Sequence, residues 1–512
     1  MKKIITADQV RAADRDCIEN EPITSIDLME RAAVAFVGVF VSLVPLEYSI
    51  HIVCGSGNNG GDGLAVARLL EGRGYQVKIS LIQFSDQLSS DCQANLNRIV
   101  SDVKRVDKVD DLAIQEDVVV DAIFGSGLSR PVKGFVADVI DKVNNATAKI
   151  ISIDLPSGLF SEIIDFSGAI ICADHTIAFQ RPKLSFLIPE SGAYVGEFSI
   201  VDIGLVEEFI ASQSSNYFLL DEGDVQALLP KRKKFQHKGD FGRVQVFSGS
   251  FGKMGAAFLC GEAVLRVGAG LLTLHIPKCG YEIIQSSLPE AMVTVDLHDN
   301  EICSGQVLDN TDVVCAGPGL GTSKPTVDWF KKFLKGTDKP MVLDADALNM
   351  LSLHPELMDE VPEGSVITPH VGEFTRLFGS SVDGLERIEK LKSVAISRNW
   401  VIVLKGAHSA IGLPSGDVIF NTTGNAGMAT AGSGDVLAGV ITGLLAQGLS
   451  SEGAALAGVF LHGKAGDLAE KRVGKMSLMA SDLLNELSEA IINATQRSFI
   501  LKNPNFKKTL IL

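Results

Sequence analysis

Short apolar runs alternate with stretches of helical periodicity along most of the chain. In the first 210 residues, the runs at 49–54, 76–83, 118–124 and 149–153 predict four β-strands. The segments after the first and third of these strands predict helices that end near Gly72 and Asn144. Strands that alternate with helices indicate a parallel sheet with helices on both faces. Ligands of such sheets bind beyond the carboxyl ends of the strands, so the loops there are the candidate sites.

The same alternation resumes after a polar break. The weakest order signal lies around 212–224, where the polar residues 212–216 could be a linker. A basic run at 231–234 then precedes a new strand at 243–247. Further strands are predicted at 313–316, 340–343, 365–368 and 401–404. We therefore place a domain boundary near 215–225. The prediction is an α/β protein of two three-layer αβα domains, 1–215 and 222–500.

Composition and charge narrow the class of protein. The 512 residues are 46% hydrophobic and 21% charged, which is typical of a globular protein with sizeable cores. The net charge of −16 argues against a nucleic-acid or anionic membrane partner. The apolar stretch 32–46 is shorter than the ~20 residues that span a bilayer and predicts a buried helix. We expect a cytoplasmic homo-oligomer with no nucleic-acid or membrane partner.

The most informative segment is 425–439, where a glycine-rich turn runs into an apolar stretch with Asp435 at the junction. Glycines let backbone N–H groups face inward, and a helix N-terminus adds donors and partial positive charge. A phosphate cradle beside a base is the chemistry of phosphoryl transfer to a hydroxyl. The alternative is an ordinary glycine turn in which Asp435 caps the helix.

Two aspartates end strands in the first half, although aspartate is a poor strand former. Asp121 ends the third strand and Asp154 the fourth. Oxygens of Asp121, Asn59 and Ser157 could hold a hard cation, which would leave Asp154 to move a proton. Each aspartate could instead be a helix cap or a loop brace, and the glycine loop 55–63 could be a plain strand–helix turn.

Segments 58–63, 121–131 and 154–158 resemble the NAD(P)H-hydrate epimerase (YjeF N-terminal) family over about residues 1–210. The resemblance implies a Rossmann-like domain that interconverts the R and S forms of the hydrated cofactors NADHX and NADPHX. It also implies K⁺ bound by Asn59, Asp121 and Ser157, with Asp154 as the catalytic residue. The implied substrate contacts are Asn58, Asn59, Gly60, Gly61, Asp62, Gly125, Ser126, Gly127, Leu128, Ser129, Arg130, Pro131 and Asp154.

In the second half, segment 421–439 and the motifs at 315–321, 344–349, 368–374 and 405–409 resemble the NAD(P)H-hydrate dehydratase family, a branch of the ribokinase-like fold. The resemblance covers about 225–495 and implies dehydration of the S hydrate with ADP or ATP and Mg²⁺. The ring hydroxyl is phosphorylated, with Asp435 as the base, and phosphate then leaves. The implied hydrate contacts are Ala256, Gly319, Gly321, His370 and Asp435, and the implied nucleotide contacts are Lys405, Gly406, Ala407, His408, Ser409, Gly432, Ser433 and Gly434.

Several alternatives stay open at this point. His370 could be a structural histidine and Lys405 a solvated lysine, while Asp344 and Asp346 could organise Mg²⁺ indirectly or brace a loop. Lys253 and Met254 replace the aromatic–proline pair usual in the family. The competing function is a ribokinase-like kinase of a vitamin-precursor alcohol with a non-catalytic, nucleotide-binding N-terminal domain.

Overall fold

Each half of the chain builds its own β-sheet. The computed structural model describes residues 1–85 and 87–501. One unit consists of residues 3–215 and 383–385, and the other of residues 1–2, 216–382 and the described residues from 386 onward. Within the described part, no helix combines the length and the apolar character needed to cross a membrane.

The N-terminal unit contains a seven-stranded sheet in which all neighbouring strands are parallel, in the order β4-β3-β2-β5-β6-β7-β8. The elements of the first 215 residues are β1 (Lys2–Lys3), α1 (Ala7–Asn20), α2 (Ser25–Leu43), β2 (Ile50–Cys54), α3 (Asn58–Glu71), β3 (Val77–Ile82), α4 (Ser90–Leu96), β4 (Val103–Val106), β5 (Val118–Ala122), α5 (Phe135–Asn144), β6 (Lys149–Ile153), β7 (His175–Phe179), α6 (Gly192–Val195), β8 (Glu197–Val201) and α7 (Glu207–Ser212), with 3₁₀ turns at Val109–Asp111, Leu184–Leu187 and Pro189–Ser191.

Helices cover both faces of this sheet. Ile52 and Val120 belong to the core formed with α1, α2 and α3, whereas Val53 and Val119 belong to the core formed with α5. Successive residues of a strand point to opposite faces, so strands buried on both sides read as continuous apolar runs. The N-terminal unit is therefore a three-layer αβα domain, as predicted.

The C-terminal unit has a second sheet whose strands take the order β9-β18-β17-β16-β15-β14-β13-β10-β11-β12. Its elements are β9 (Tyr217–Leu219), α8 (Glu222–Leu228), β10 (Arg243–Phe247), α9 (Met254–Arg266), β11 (Leu271–Ile276), α10 (Tyr281–Ser287), β12 (Met292–Val295), β13 (Val313–Ala316), α11 (Lys324–Lys335), β14 (Met341–Leu343), α12 (Asp346–Leu353), β15 (Val366–Ile367), α13 (Val371–Phe378), α14 (Gly384–Arg398), β16 (Val401–Leu404), β17 (Ala410–Gly412), β18 (Val418–Phe420), α15 (Ser433–Ala446), α16 (Ser451–Val473) and α17 (Ala480–Leu501), with 3₁₀ turns at Lys238–Phe241, Lys278–Gly280, Pro355–Glu360 and Ala426–Met428.

This sheet also lies between two helical layers. Val244 and Val246 of β10 share a core with α9, α15 and α16. Phe247 packs instead against Trp329 and Phe333 of α11, with ring centroids 5.3 and 5.0 Å apart. Strand β17 runs antiparallel to β16 and β18, and the other strands pair in parallel. The predicted three-layer α/β class is thus confirmed for both halves.

Two predicted glycine loops are partly helical. Helix α3 begins at Asn58, so most of the predicted loop 55–63 is the first turn of a helix. Helix α15 begins at Ser433, inside the predicted glycine turn. The loop 55–63 is therefore shorter than predicted, because glycine at a helix start permits close packing. A helix that begins beside Asp435 agrees with the prediction for 425–439. A Cβ on Gly60 would lie 1.9 Å from the carbonyl oxygen of Gly55.

Candidate active sites

A cavity of about 860 Å³ lies beyond the carboxyl ends of β2, β5 and β6. The predicted residues that line it are Asn58, Asn59, Asp62, Gly125, Ser126, Gly127, Leu128, Ser129, Arg130, Pro131 and Asp154. Gly60 and Gly61 do not line it, since Gly60 packs on Gly55 and Gly61 faces Met29. The cavity has the size of a small-ligand site, with residues from three separate segments of the chain converging on it.

Asp121 lies below this cavity in a dense set of hydrogen bonds. Its carboxylate accepts bonds from the Ser157 backbone N–H (2.8 Å), the Ser157 hydroxyl (2.5 Å) and the Ser152 hydroxyl (2.8 Å). The Asn59 side-chain amide donates to the carbonyl of Phe124 (2.9 Å), which is also 3.2 Å from the Ser157 hydroxyl. The structure therefore brings the three predicted cation ligands together around Phe124. The bonds to Ser152 and Ser157 also make Asp121 a brace between neighbouring strand ends.

Asp154 occupies a strained and tightly held position at the end of β6. Its φ of 64° lies in the left-handed region, which is costly for a residue with a Cβ. Its Oδ1 accepts bonds from the backbone N–H of Phe179 (3.0 Å) and from the buried ammonium of Lys183. Lys183 was missed by the sequence prediction, because a single lysine after β7 belongs to no recognisable motif. Sites commonly retain such strain where the position of one side chain matters.

Two other carboxyl groups line the same cavity. Burial, followed by the nearby charge of Asp154, raises the pKa of Asp14 to about 6. Burial, followed by the charges of Asp154 and Asp14, raises the pKa of Asp62 well above its usual value. The sequence prediction included Asp62 but missed Asp14, which helix α1 contributes. Clustered carboxyl groups with raised pKa values are typical of acid–base sites.

In the C-terminal unit, Asp435 lies in the first turn of α15 and is half-buried. The N-cap residue is Gly432, with φ 90°, and no side chain caps the helix, so Asp435 is not the cap. The N–H groups of Gly434 and Asp435 donate to no backbone acceptor within the described part of the chain. Burial, then the charge of Asp344, raises the pKa of Asp435 to about 7. A carboxyl group that titrates near neutrality beside free amides suits a general base.

Lys405 and Asp344 lie directly beside this helix start. The Lys405 ammonium donates to Asp344 Oδ1 at 2.8 Å and is 3.9 Å from Glu373 Oε2. A Cβ on Gly434 would lie 3.3 Å from the Lys405 nitrogen and 3.5 Å from Asp344 Oδ2. The interpretation of Lys405 as a solvated lysine is therefore wrong. The charges of Asp344 and Glu373 raise its pKa against the effect of burial, so it stays cationic.

Three of the predicted hydrate contacts lie in neighbouring segments, Ala256 in the first turn of α9 and Gly319 and Gly321 in one loop. A Cβ on Gly319 would lie 3.0 Å from Ala256 Cβ, and the carbonyl of Gly319 accepts a bond from Ser250 (2.7 Å). Asp346 Oδ2 accepts bonds from the N–H of Gly321 (2.7 Å) and from Lys253 (3.2 Å). Asp346 thus braces the loop 317–321. Lys253, the departure from the family pattern, is one of its partners.

His370 caps helix α13. Its Nδ1 accepts bonds from the N–H groups of Gly372 (3.0 Å) and Glu373 (3.2 Å), while more than half of its side chain is exposed. A bridge between His370 and Lys405 joins two of the predicted motifs, and the turn at 405–409 is closed by Ser409 and Gly406 (3.3 Å). His370 therefore has a structural contact and a face open to solvent.

The sequence prediction also missed two groups that hold the glycine-rich segment. The buried ring of His462 has Nε2 2.9 Å from the carbonyl of Ser433, and burial lowers its pKa to about 4. The carboxylate of Asp467 accepts bonds from the Gly424 N–H (3.2 Å) and from Asn425 (3.3 Å). Both side chains lie on α16, whose sequence pattern indicates only an apolar helix. Neutral His462 donates to the first turn of α15 and so fixes its position.

Comparisons with known proteins divide the chain at the same place as the two sheets. The NAD(P)H-hydrate dehydratase family model matches residues 244–489, and the model of the YjeF-related protein N-terminus matches residues 25–185. The bifunctional NAD(P)H-hydrate repair enzyme Nnr of Moorella thermoacetica is 36% identical, over 96% of this chain and 97% of that protein. The enzyme of the same name from Escherichia coli is 35% identical, over 95% and 93%. A crystal structure of the ADP/ATP-dependent NAD(P)H-hydrate dehydratase from Bacillus subtilis, co-crystallised with ATP and Mg²⁺, is 30% identical, covers 55% of this chain and all of that chain, and has a TM-score of 0.49.

Proposed function

This chain belongs to the family of bifunctional NAD(P)H-hydrate repair enzymes, and we propose on that ground that it restores hydrated NADH and NADPH in two steps. The N-terminal domain, 1–215, interconverts the R and S hydrates. The C-terminal domain, 222–500, dehydrates the S hydrate with ADP or ATP. Since only one stereoisomer is dehydrated, epimerisation makes the other isomer available for repair.

The observation that carries the dehydratase assignment is Asp435 beside the free amides of Gly434 and Asp435 and the ammonium of Lys405. Asp435 accepts the proton of the ring hydroxyl while the hydroxyl oxygen attacks the terminal phosphoryl group of the nucleotide. The amides and Lys405 stabilise the negative charge on the moving phosphoryl group. Phosphate then leaves together with a proton from the adjacent ring carbon, which restores the ring double bond.

Mg²⁺ reaches this site on the phosphates of the nucleotide. Asp344 is already bonded to Lys405, and Asp346 to Gly321 and Lys253. Among the described residues there is no group of three or more His, Cys, Asp or Glu side chains that could hold a metal ion. A site with few carboxylates suits Mg²⁺ that is held by phosphate oxygens and water. Residues 405–409 and 432–434 bind the nucleotide.

In the N-terminal domain, K⁺ is bound by Asn59, Asp121 and Ser157 with help from the carbonyl of Phe124. All of these donors are oxygens, which suits a hard cation. A Cβ on Gly125 would lie 3.4 Å from Asn59 Oδ1, so glycine leaves room there. When bound, the cation orders the strand ends and attracts the electron-rich groups of the hydrate. Asp154 moves the proton, and the remaining lining residues bind the hydrate.

The test supplies a mixture of R and S hydrates with ADP and then with ATP. Recovery of reduced-nicotinamide absorbance and release of inorganic phosphate are followed, with the Asp154→Asn variant as the control for spontaneous epimerisation. We expect complete recovery with the intact protein. Recovery that stops at the S fraction would contradict the epimerase assignment. A stable phosphorylated alcohol would instead identify a small-molecule kinase.

We also propose that the protein acts in the cytoplasm as a homo-oligomer, with neither nucleic acid nor membrane as a partner. The net charge of −16 supports the exclusion of anionic partners. Light scattering coupled to gel filtration measures the mass in solution, and a mass of one chain at micromolar concentration would contradict the oligomer.

A further inference from the structure

Three aspartates line the epimerase cavity, but they have different partners. Within the described residues, Lys183 forms an ion pair with Asp154 alone, and Asp14 has neither an ion pair nor a hydrogen bond. Lys183 does not line the cavity itself, since its side chain is 6% exposed and lies behind Asp154. The carboxyl groups that line the cavity therefore differ in their charged partners before any substrate binds.

The contacts of Asp154 leave one of its oxygens available. Oδ1 accepts bonds from both the Phe179 N–H (3.0 Å) and Lys183, whereas Oδ2 accepts none from the described residues. The backbone is also fixed, since the Asp154 N–H donates to Ile177 (2.9 Å) and φ is 64°. A cation and an N–H on one oxygen fix the carboxylate and so set the direction of the other oxygen.

Asp14 is in the opposite situation. It lies on α1, is half-buried and lines the same cavity. Burial and the charge of Asp154 raise its pKa to about 6, although Lys183, Arg15 and Arg11 act in the other direction. A carboxylate held by a buried ammonium and a neighbouring carboxyl group with no cation in contact are suited to act as base and acid.

Epimerisation needs both functions at once. The carbon that inverts carries the ring nitrogen and the hydroxyl. When the carbon–nitrogen bond breaks, its electron pair goes to the nitrogen, which takes up one proton. The hydroxyl group loses one proton at the same time, and its carbon becomes an aldehyde, so protons and charge balance. Rotation and closure on the other face reverse both transfers. One group must accept a proton while another donates one.

We propose that Asp154 is the base and Asp14 the acid of this step, and that Lys183 is the positioning residue that gives Asp154 its role. The assignment rests on the proposed epimerase function. It identifies a catalytic residue on α1 and a positioning residue after β7, neither of which belongs to the glycine-rich motifs.

The first experiment replaces the acid. Asp14→Asn is compared with Asp16→Asn, a change on the same helix at a residue outside the cavity lining. The full chain receives the R hydrate without nucleotide, and formation of the S hydrate is followed by chromatography above the spontaneous rate. We expect Asp14→Asn to lower kcat about 100-fold or more, with KM changed less than about threefold and the control unchanged. A kcat within about threefold of the wild-type value would overturn the role of Asp14.

The second experiment tests Lys183. Lys183→Met removes the cation, Lys183→Arg keeps it, and Arg181→Met is the control because Arg181 is equally buried but pairs with Glu207. We expect Met to lower kcat at least about tenfold at similar KM and Arg to restore most of the loss. Equal losses in Lys183→Met and Arg181→Met would show a structural effect only and would overturn the positioning role.

The Asp154→Asn and Lys183→Met changes are then combined. The double variant leaves no unpaired buried charge, because both the carboxylate and the ammonium are removed. It therefore tests the role of Lys183 even if Lys183→Met folds poorly. If Lys183 acts through Asp154, the Lys183→Met change causes no further loss of kcat in the Asp154→Asn protein. A double variant whose loss of kcat equals the product of the two single losses would refute this. Dehydration of S hydrate by each variant reports that the C-terminal unit is folded, and far-UV circular dichroism of the full chain, compared with the wild type, reports on the N-terminal unit. A wild-type chain that does not exceed the spontaneous rate would end the proposed epimerase function itself, which is a different result.

Discussion

Replacing Asp435 by asparagine should abolish most dehydration and yet stabilise the C-terminal unit at alkaline pH. Burial and the charges of Asp344 and Asp346 raise the pKa of Asp435 to about 7 from the ordinary value of 3.8, and Lys405 offsets only part of this. The folded protein therefore holds an ionised Asp435 at a cost that the unfolded chain does not have. Asparagine keeps the shape and removes the charge.

The direction of the change in stability with pH follows from the number of protons that the folded and unfolded states bind. Between pH 4 and 7 the folded state retains the Asp435 proton while the unfolded state has lost it, so the free energy of unfolding of the wild type falls as pH rises. A pKa shift of about three units corresponds to a loss of at most about 4 kcal/mol in the free energy of unfolding above pH 7. Solvent near the half-buried carboxylate screens part of this, and we expect about 2 kcal/mol.

The assay uses intrinsic fluorescence during urea unfolding. Both tryptophans, Trp329 and Trp400, are buried in the C-terminal unit, so their emission reports on that unit. We expect Asp435→Asn to match the wild type near pH 4.5 and to exceed it in stability at pH 8. The control is Glu452→Gln, at an exposed acid in the first turn of α16, for which no such divergence is expected. A difference that is the same at both pH values, or a less stable variant at pH 8, would refute the reasoning.

Three further measurements test the two sites. The kcat/KM for dehydration should rise about fivefold from pH 6 to 7 and level off above about pH 8, because Asp435 must be ionised to act. Asp344→Asn should move this rise in kcat/KM to lower pH. A kcat/KM that does not change with pH would argue against Asp435 as the base. Ser157→Ala should remove the stimulation of epimerisation by KCl over LiCl, whereas a stimulation equal to that of the wild type would exclude the site at Asp121. Gly434→Ala places a Cβ 3.3 Å from the Lys405 nitrogen, so KM for the nucleotide should rise about tenfold while epimerisation stays unchanged; an unaltered KM would mean that the nucleotide lies elsewhere.

Some of the parallel strands of both sheets could be predicted because their apolar pattern is local in the sequence. Strands buried on both faces need continuous apolar residues, and those at 149–153, 243–247, 313–316 and 401–404 have the predicted bounds. Strands β4, β7, β8, β11 and β12 were missed although they pair in parallel. Strands β9, β17 and β18 were also missed, since three residues carry too little pattern to be recognised. Their pairing depends on neighbours that lie far away in sequence, such as Phe218 beside Ile419.

Some residues of the candidate sites could also be predicted from local sequence, and others could not. Asp121, Asp154 and Asp435 each follow a strand or a glycine turn, so their positions at a sheet edge could be expected from sequence alone. Asp14 and His462 lie within helices whose pattern predicts only an amphipathic or apolar face. Such residues become recognisable when the fold brings distant elements together, because a single charged side chain carries no local signal.

The two sites use the same components in different arrangements. In the N-terminal unit the lysine contacts one of the aspartates that face the cavity, Asp154, and among the described residues no cation pairs with Asp14 or Asp62. In the C-terminal unit the lysine, Lys405, contacts Asp344 instead, and Asp435 is left without a direct partner among the described side chains. A base that must accept a proton only when phosphoryl transfer begins benefits from a pKa near 7, whereas a base and an acid that must work in both directions need opposite protonation states at the same pH. The two proposed sites therefore differ in which aspartate the lysine contacts, the proposed base Asp154 in one and its neighbour Asp344 in the other.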